Sequence, residues 1–479
     1  MLHVCYGNQL EVLAEQLAEH LDNHAVDPLE PELIAVQGHA VSRWLALRLA
    51  TDRGISANNK MLFPAELLWL LFRRVLPEDV PPFNGFSAQT LAWRVLALLQ
   101  SEQFVSRHAA LAHYLETASP VGQWQLAERL GRQFEQYLIY RPDWIQQWES
   151  EGDTHWQAAL WRRLLTTGDD RHWLNLRTRL VKMMAQEPAA AERLPRRISL
   201  FGLPRLSEVY LGILQTMAVY CDVRIYALNY SSVFWADIVS DKERTRQVLS
   251  NQSGLVDYME TGNSLLASLG RQGRAYFGQL LELDALDEEV FHPPASNTLL
   301  GQIQSDIFYL REGGDQGVQR EVEPSDSSIQ IHVCHSPMRE VEVLHDRLLD
   351  QFDRQPDLDP AEVLVLVPDI ETYAAYIEAV FGTLTDDRRI PFRIADCGQS
   401  QRTSLIETFF ALLDMPFGRY DATAVSAPLA EPAIQKQFDL SGTDVDQILY
   451  WVRESGIRWG IDAADMTRLE LPGGEENTW

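Results

Sequence analysis

The stretch "LHVCYGNQLEVLAEQL", beginning at Leu2, has an echo at residue 331, "IHVCHSPMREVEVLHDRL". Each reads as an apolar strand ending in His-Val-Cys, a short loop and an amphipathic helix. Leu10, Leu13, Leu17 and Leu21 fall at i, i+3, i+7 and i+11 and define one face of the first helix. The echo continues: a proline-containing turn leads to a second apolar strand, "PELIAV" in one copy and "PAEVLVLV" in the other, and a helix follows each. Short apolar strands alternating with helices predict parallel sheets covered on both faces, so the repeat calls for two α/β layers.

Between the two copies the pattern changes. From Phe63 to Glu192 the strand signal vanishes, and "PAELLWLLFRRVL", "AQTLAWRVLALL", "VGQWQLAERLGRQFEQYL", "HWQAALWRRLLTT" and "RHWLNLRTRLVKMMA" read as successive amphipathic helices. Eight of the thirteen tryptophans lie here, at helical spacing, which predicts core packing for them. Strands resume with "RRISLFGL" and "CDVRIYALNY", around the helix "SEVYLGILQTMAVY". The expected organisation is a discontinuous first α/β domain (1–62 and 193–315), an all-helical insertion (63–192) and a polar linker (316–328). The start of a second α/β domain (329–430) and the start of a further helical insertion (431–479) complete it. Two parallel-sheet domains, the first with a helical insertion, resemble the superfamily-one helicases.

A length of 479 residues suits two to four domains. No run of eighteen apolar residues occurs, and the first residues lack a basic segment followed by an apolar one, so neither a spanning helix nor a signal peptide is expected. Cys5, Cys221, Cys334 and Cys397 are scattered without a CxxC, which points to reduced thiols rather than zinc or disulfides. The net charge of −27 argues against generic polyanion binding, but it is uneven. Residues 1–200 hold 20 Lys/Arg against 23 Asp/Glu, whereas the rest hold 21 against 45, so any nucleic-acid contact belongs to the first part. Only Lys60, Lys182, Lys242 and Lys436 are lysines, a bias that base composition explains more readily than phosphate binding.

The motifs exclude more than they assign. A phosphate-binding loop needs glycines for amides to wrap the phosphates, a lysine, and a Ser/Thr for magnesium. "YGNQLE" offers only Gly7, while "HSPMRE" has no glycine and Pro337 lacks an amide. After "ISLFGLP" no Asp-Glu pair follows to hold a metal and activate water. The acid pairs Asp169-Asp170 and Asp386-Asp387 sit beside Arg171 and Arg388-Arg389 in polar, turn-like contexts. His332 and His335 at the end of a strand do not define a site, and neither HExxH nor Gly-x-Ser-x-Gly occurs. No catalytic residue or metal ligand is assigned.

The stretch "IHVCHSPMREVEVLHDRLL" closely resembles the RecC family, the gamma subunits of the bacterial RecBCD complex (exodeoxyribonuclease V). "FEQYLIYRPDWIQQWE", "LLASLGRQGRAYFGQLLEL", "LLGQIQSDI", "YAAYIEAVFG" and "RESGIRWGIDAADMTRLELP" carry the resemblance along the whole chain. It implies a cytoplasmic, helicase-like protein whose ATPase motifs are lost. Such a protein serves DNA repair and recombination as a DNA-binding scaffold in a heterotrimer with RecB-like and RecD-like subunits. Those partners use ATP and Mg2+ for helicase and exonuclease work, and this chain binds no cofactor of its own. The family guides the unwound strands and scans the 3′-ended one for the recombination hotspot Chi. Its members continue beyond the equivalent of Trp479, which implies an unfinished second domain.

The Chi-reading positions implied by the resemblance are Gln37, Trp69, Arg141 and, less securely aligned, Arg179. Glutamine can bond two base edges, arginine can read guanine or hold phosphate, and an aromatic ring can stack on an unpaired base. The structural alternatives are a capping glutamine, a core tryptophan and surface ion pairs. The chain departs from the family pattern at His39, Arg43, Phe63, Arg132 and Gln133, while Glu135 keeps the acid. Two other readings stay open: a self-sufficient ATP-dependent helicase or nuclease, and an inactive truncated scaffold.

Overall fold

Six short strands meet in one parallel sheet, and the inner four are apolar on both faces. They are β1 (Leu2–Gly7), β2 (Glu32–Ala35), β3 (Asn59–Leu62), β4 (Arg197–Phe201), β5 (Asp222–Leu228) and β6 (Leu286–Glu289), in the order β3-β2-β4-β5-β1-β6. The computed structural model describes residues 1–479 apart from 25, 26, 28, 151–154, 167–169, 241, 246–261, 314–321, 384–387, 396–403 and 469–475. It divides into two compact units, Met1–Ile329 and Gln330–Trp479. Asp169, Asp386, Asp387, Cys397 and residues 316–321 of the expected linker lie outside the described residues.

Strand periodicity sorts the first unit's core. Leu2, Val4 and Tyr6, Leu33 and Ala35, Ile198 and Leu200, and Val223, Ile225 and Ala227 share one face. Cys5, Ile34, Phe201 and Tyr226 lie on the other. Helices α1 (Leu10–Asn23) and α2 (His39–Arg53) cover the second face with Leu13, Leu17, Leu21, Leu45 and Leu49. The leucine stripe seen in the sequence therefore does pack inward. Each leucine removed from water contributes about 1.5–3 kcal/mol.

Helix α3 (Pro64–Val75) lines the first face with Leu67, Leu71 and Phe72. Between β3 and β4 the described chain is helical: α4 (Ala88–Leu99), α5 (Glu102–Val105), α6 (Ala109–Thr117), α7 (Pro120–Tyr140), α8 (Pro142–Glu149), α9 (Trp156–Thr166), α10 (Trp173–Gln186) and α11 (Pro188–Ala191). Leu176, Leu180 and Met184 of α10 return to the sheet, beside α12 (Glu208–Ala218). A separate core forms around Phe134, Trp148 and Trp161. There α4 and α7 approach so closely at Gly131 that an added Cβ would lie 2.5 Å from the Ala88 carbonyl oxygen. Core packing accounts for Trp148 and Trp161, but Trp93 is 65% exposed and meets Trp124 at 4.4 Å between ring centres.

Polar groups fasten the sheet's starting edge. The Met1 ammonium donates to the Ala218 carbonyl oxygen at 2.6 Å, at the C-terminal end of α12 where a positive charge is favoured. Buried Arg197 pairs with Glu32 through two nitrogens and donates to the His24 carbonyl oxygen at 2.8 Å, capping α1.

In the second unit the expected parallel sheet does not appear among the described residues. Its helices form at Pro337–Arg354 and Ile370–Phe381, where the sequence echo places them. Neither "IQIHVCHS" nor "AEVLVLV" is a strand, and no strand occurs in this unit among the described residues. Val333 is 97% and Leu366 83% exposed, with Ile331 and Leu364 exposed beside them. The reason lies in strand chemistry. A strand of a parallel sheet completes its hydrogen bonds only on neighbouring strands and buries both faces under helices. These segments have no partner among the described residues, so their apolar groups stay in solvent. The unit's small core comprises Val341, Phe381 and Ile390.

Candidate nucleic-acid interface

Ligands of open parallel sheets bind outside the carboxyl ends of the strands, so that rim decides what the fold can hold. At β1 the rim is closed. Only Asn8 and Gln9 separate β1 from α1, and the Asn8 side chain is locked to His292. Its amide nitrogen donates to the His292 carbonyl oxygen at 2.8 Å, and its oxygen accepts from the His292 amide at 2.9 Å. A Cβ on Gly7 would stand 3.1 Å from both Leu13 and Val290, so the glycine faces filled space. Tyr6, Phe277 and Trp235 form an aromatic layer behind it, Trp235 stacked on Phe277 at 5.8 Å. The Trp235 indole donates to Asn229 at 2.8 Å, next to the end of β5.

At β2 the rim is open. Gln37, two residues past the strand, is exposed, and its side chain makes no hydrogen bond among the described residues. A side chain on Gly38 would meet nothing within 4 Å. Because Ala35 of β2 is in register with Leu62 of β3, the two strand ends deliver His39 and Phe63 side by side, their rings edge to face at 5.0 Å. Phe63 is fixed by the start of α3, where Glu66 accepts from the Phe63 amide at 2.9 Å and Pro64 occupies the first turn. Arg43 sits exposed one turn after His39. Gln37, His39, Arg43 and Phe63 are thus brought to one end of the sheet. Trp69, on α3, is half-buried against the sheet core and edge to face with Phe72 at 6.1 Å, so it is partly the core residue of the structural alternative.

The helical block carries the other sequence-derived positions, and there each arginine already holds an acid. Arg141 bonds both oxygens of Asp143 at 3.0 and 2.7 Å and lies 3.7 Å over the Trp144 ring. The guanidinium beside Asp143 holds that carboxyl below the usual carboxylate range. Arg132 pairs with Glu128 one turn earlier. Glu135 accepts from the Ala88 amide at 3.1 Å, which makes it a cap for α4 rather than a free acid. Gln133 donates to the Tyr137 hydroxyl. Arg179 bridges Asp79 and Asp170, each at 3.0 Å. The aspartate at 170 therefore serves an ion pair, consistent with its reading as a solvated turn. No hydrogen bond, ion pair or ring contact joins Arg141 or Arg179 to the Gln37 group among the described residues.

No set of three or more His, Cys, Asp or Glu side chains could hold a metal among the described residues. Burial pushes the Cys5 and Cys221 thiols up to about 12, so neither is a thiolate nucleophile near neutrality. His332 and His335 are exposed in the irregular segment before the helix at Pro337. The second loop has a structural task instead: the Ser336 hydroxyl accepts from the Arg339 amide at 3.3 Å and Pro337 opens the helix. Three features escaped sequence reasoning, namely the Asn8–His292 lock, the pairing of exposed Trp93 with half-buried Trp124, and a partly buried group in which Glu149 accepts from Trp161 at 3.0 Å and meets His172 at 2.9 Å. Burial alone would raise the Glu149 carboxyl, but those partners outweigh it and leave it lowered. No local pattern announces such pairings, since their members lie 12 to 284 residues apart.

The chain also has relatives. Residues 2–310 match the family model for the RecC N-terminal domain, and residues 402–479 match that for the fourth domain of RecBCD enzyme subunit RecC. All of the chain aligns with RecBCD enzyme subunit RecC of Escherichia coli at 35% identity, covering 47% of that protein. The Haemophilus influenzae subunit is 32% identical over 96% of the chain and 46% of its own length. A Mycobacterium tuberculosis subunit is 29% identical over the whole chain and 45% of its own. The chain thus spans about half the length of the curated relatives it matches. No helix among the described residues is long and apolar enough to cross a membrane.

Proposed function

The chain belongs to the RecC family, and on that premise we propose that it is a non-catalytic, DNA-binding scaffold subunit of a RecBCD-type helicase and exonuclease in double-strand-break repair. In this reading it works in the cytoplasm with RecB-like and RecD-like subunits, and those partners use ATP and Mg2+. It channels the unwound strands and reads Chi on the 3′-ended one. Residues 1–62 and 193–315 are read as a superfamily-one-like domain that has lost its ATPase motifs, and 63–192 as its helical insertion. Residues 316–328 are the linker, 329–430 begin a second such domain and 431–479 a further insertion.

The observation that carries this reading is the asymmetry of the sheet's rim. The place for a nucleotide phosphate, after β1, is occupied by the Asn8–His292 lock and by Leu13 and Val290 around Gly7. The end of β2 is open and presents an amide, an imidazole and a phenyl ring. Gln37 can bond base edges, while Phe63 and Trp69 offer ring faces to unpaired bases. Arg141 and Arg179 would exchange exposed carboxylates for phosphate or guanine, a small loss because exposed ion pairs are worth only about 0–1 kcal/mol. In the complex assembled with RecB-like and RecD-like partners, Gln37→Ala or Arg141→Ala is expected to reduce the Chi response and leave unwinding largely intact. Equal loss of both activities would assign these residues to folding or assembly instead.

A further inference from the structure

The open rim continues past β2 onto β4, its other neighbour in the sheet, where Ala35 is in register with Leu200. After Phe201 the chain turns at Gly202, whose φ of +60° is a left-handed value that suits glycine and whose amide donates to the Tyr226 carbonyl oxygen at 3.0 Å. Leu203 and Leu206 are both buried in the sheet core, and between them Pro204 and Arg205 stand exposed. Arg205 is therefore displayed on a short loop pinned at both ends, which lowers the entropy lost when it is ordered by a ligand. It makes no ion pair or hydrogen bond among the described residues. Glu66 is engaged as the α3 cap, and Glu208, three residues beyond Arg205, makes no ion pair with it among the described residues. Arg43 likewise makes no ion pair among the described residues. In a chain of net charge −27, the end of the sheet near β2 and β4 thus gathers Arg43, Arg205 and the exposed His39 ring without an acid partner, whereas Arg132, Arg141 and Arg179 each hold one.

We propose that Arg205 is a phosphate contact for single-stranded DNA, extending the binding surface from the β3 and β2 ends across to the β4 end. The inference rests on the DNA-binding reading above and deepens it. A strand that places bases against Gln37 and Phe63 puts its phosphodiester backbone alongside, and Arg205 neutralises it without first breaking an ion pair. Arginine suits this task because its fork of donors matches phosphate oxygens.

The test is the salt dependence of binding of a fluorescein-labelled oligothymidylate to the 479-residue chain, followed by anisotropy. Arg205→Gln should weaken binding roughly five- to tenfold at low salt and reduce the slope of log affinity against log salt by about 0.7, the loss of one phosphate contact on a single strand. Arg205→Lys, which keeps the charge, should retain the slope. Unchanged affinity and slope in Arg205→Gln would overturn the proposal. If Gln37→Ala or Arg141→Ala weakens binding while Arg205→Gln does not, this inference falls alone; if the parent chain fails to bind, the DNA-binding reading falls with it.

Discussion

Residues 2–23 and 331–354 have nearly the same pattern, yet only the helices end alike. In the first copy "LHVCYG" is a central strand between β5 and β6, with Val4 and Tyr6 under one layer of helices and Cys5 under another. In the second, "IHVCH" makes no ladder and leaves Val333 in solvent, although the following helix is intact. A helix closes its hydrogen bonds within itself and can be started by its own neighbours, as Ser336 and Pro337 do. A parallel strand depends entirely on distant chain. Helices are therefore a local property of this sequence and the sheet is a collective one.

Four substitutions probe that difference. The largest effect should come from Arg197→Ala, which leaves half-buried Glu32 without its partner and removes the donor to the last carbonyls of α1. Breaking such a buried pair costs about 3–5 kcal/mol. Urea unfolding followed by hydrogen exchange should show the loss in peptides of 1–329 and spare those of 330–479. Next, Leu33→Ala in β2 should cost about 2–5 kcal/mol, while Leu364→Ala in the corresponding apolar run of the second copy should change stability by less than about 0.5 kcal/mol. Comparable losses in both would mean that 361–367 is packed after all. Smallest, Ser336→Ala should destabilise the helix at Pro337 by about 1 kcal/mol through its lost cap, visible as faster exchange of the amides in its first turn.

The same division explains what could be read in advance. The strands β1, β2, β4 and β5, the helical block and the leucine stripe of α1 were legible because periodicity reports which face a residue buries. The lack of strands in the second unit among the described residues was not, because "AEVLVLV" has every local property of a buried strand and nothing local states whether neighbours arrive. At the candidate interface, the family resemblance rather than residue type alone picked out Gln37, Trp69 and Arg141, with His39 and Phe63 only as departures, and the register of β2 with β3 supplied what sequence could not, the meeting of His39 and Phe63. Glu135 shows the opposite case: its acid fits a reader position on paper, yet it bonds the start of α4. The Asn8–His292 lock joins residues 284 apart, a distance over which no motif speaks.

We propose that one rim of the first sheet is open to nucleic acid at β2 and shut to nucleotide at β1. Parallel titrations of the purified chain with a fluorescent single-stranded oligonucleotide and with a fluorescent ATP analogue plus Mg2+ test it most directly. The account predicts saturable, salt-sensitive binding of the oligonucleotide, weakened by Gln37→Ala, and no binding of the analogue. Saturable binding of the analogue, with the oligonucleotide left unbound or indifferent to Gln37, would contradict it.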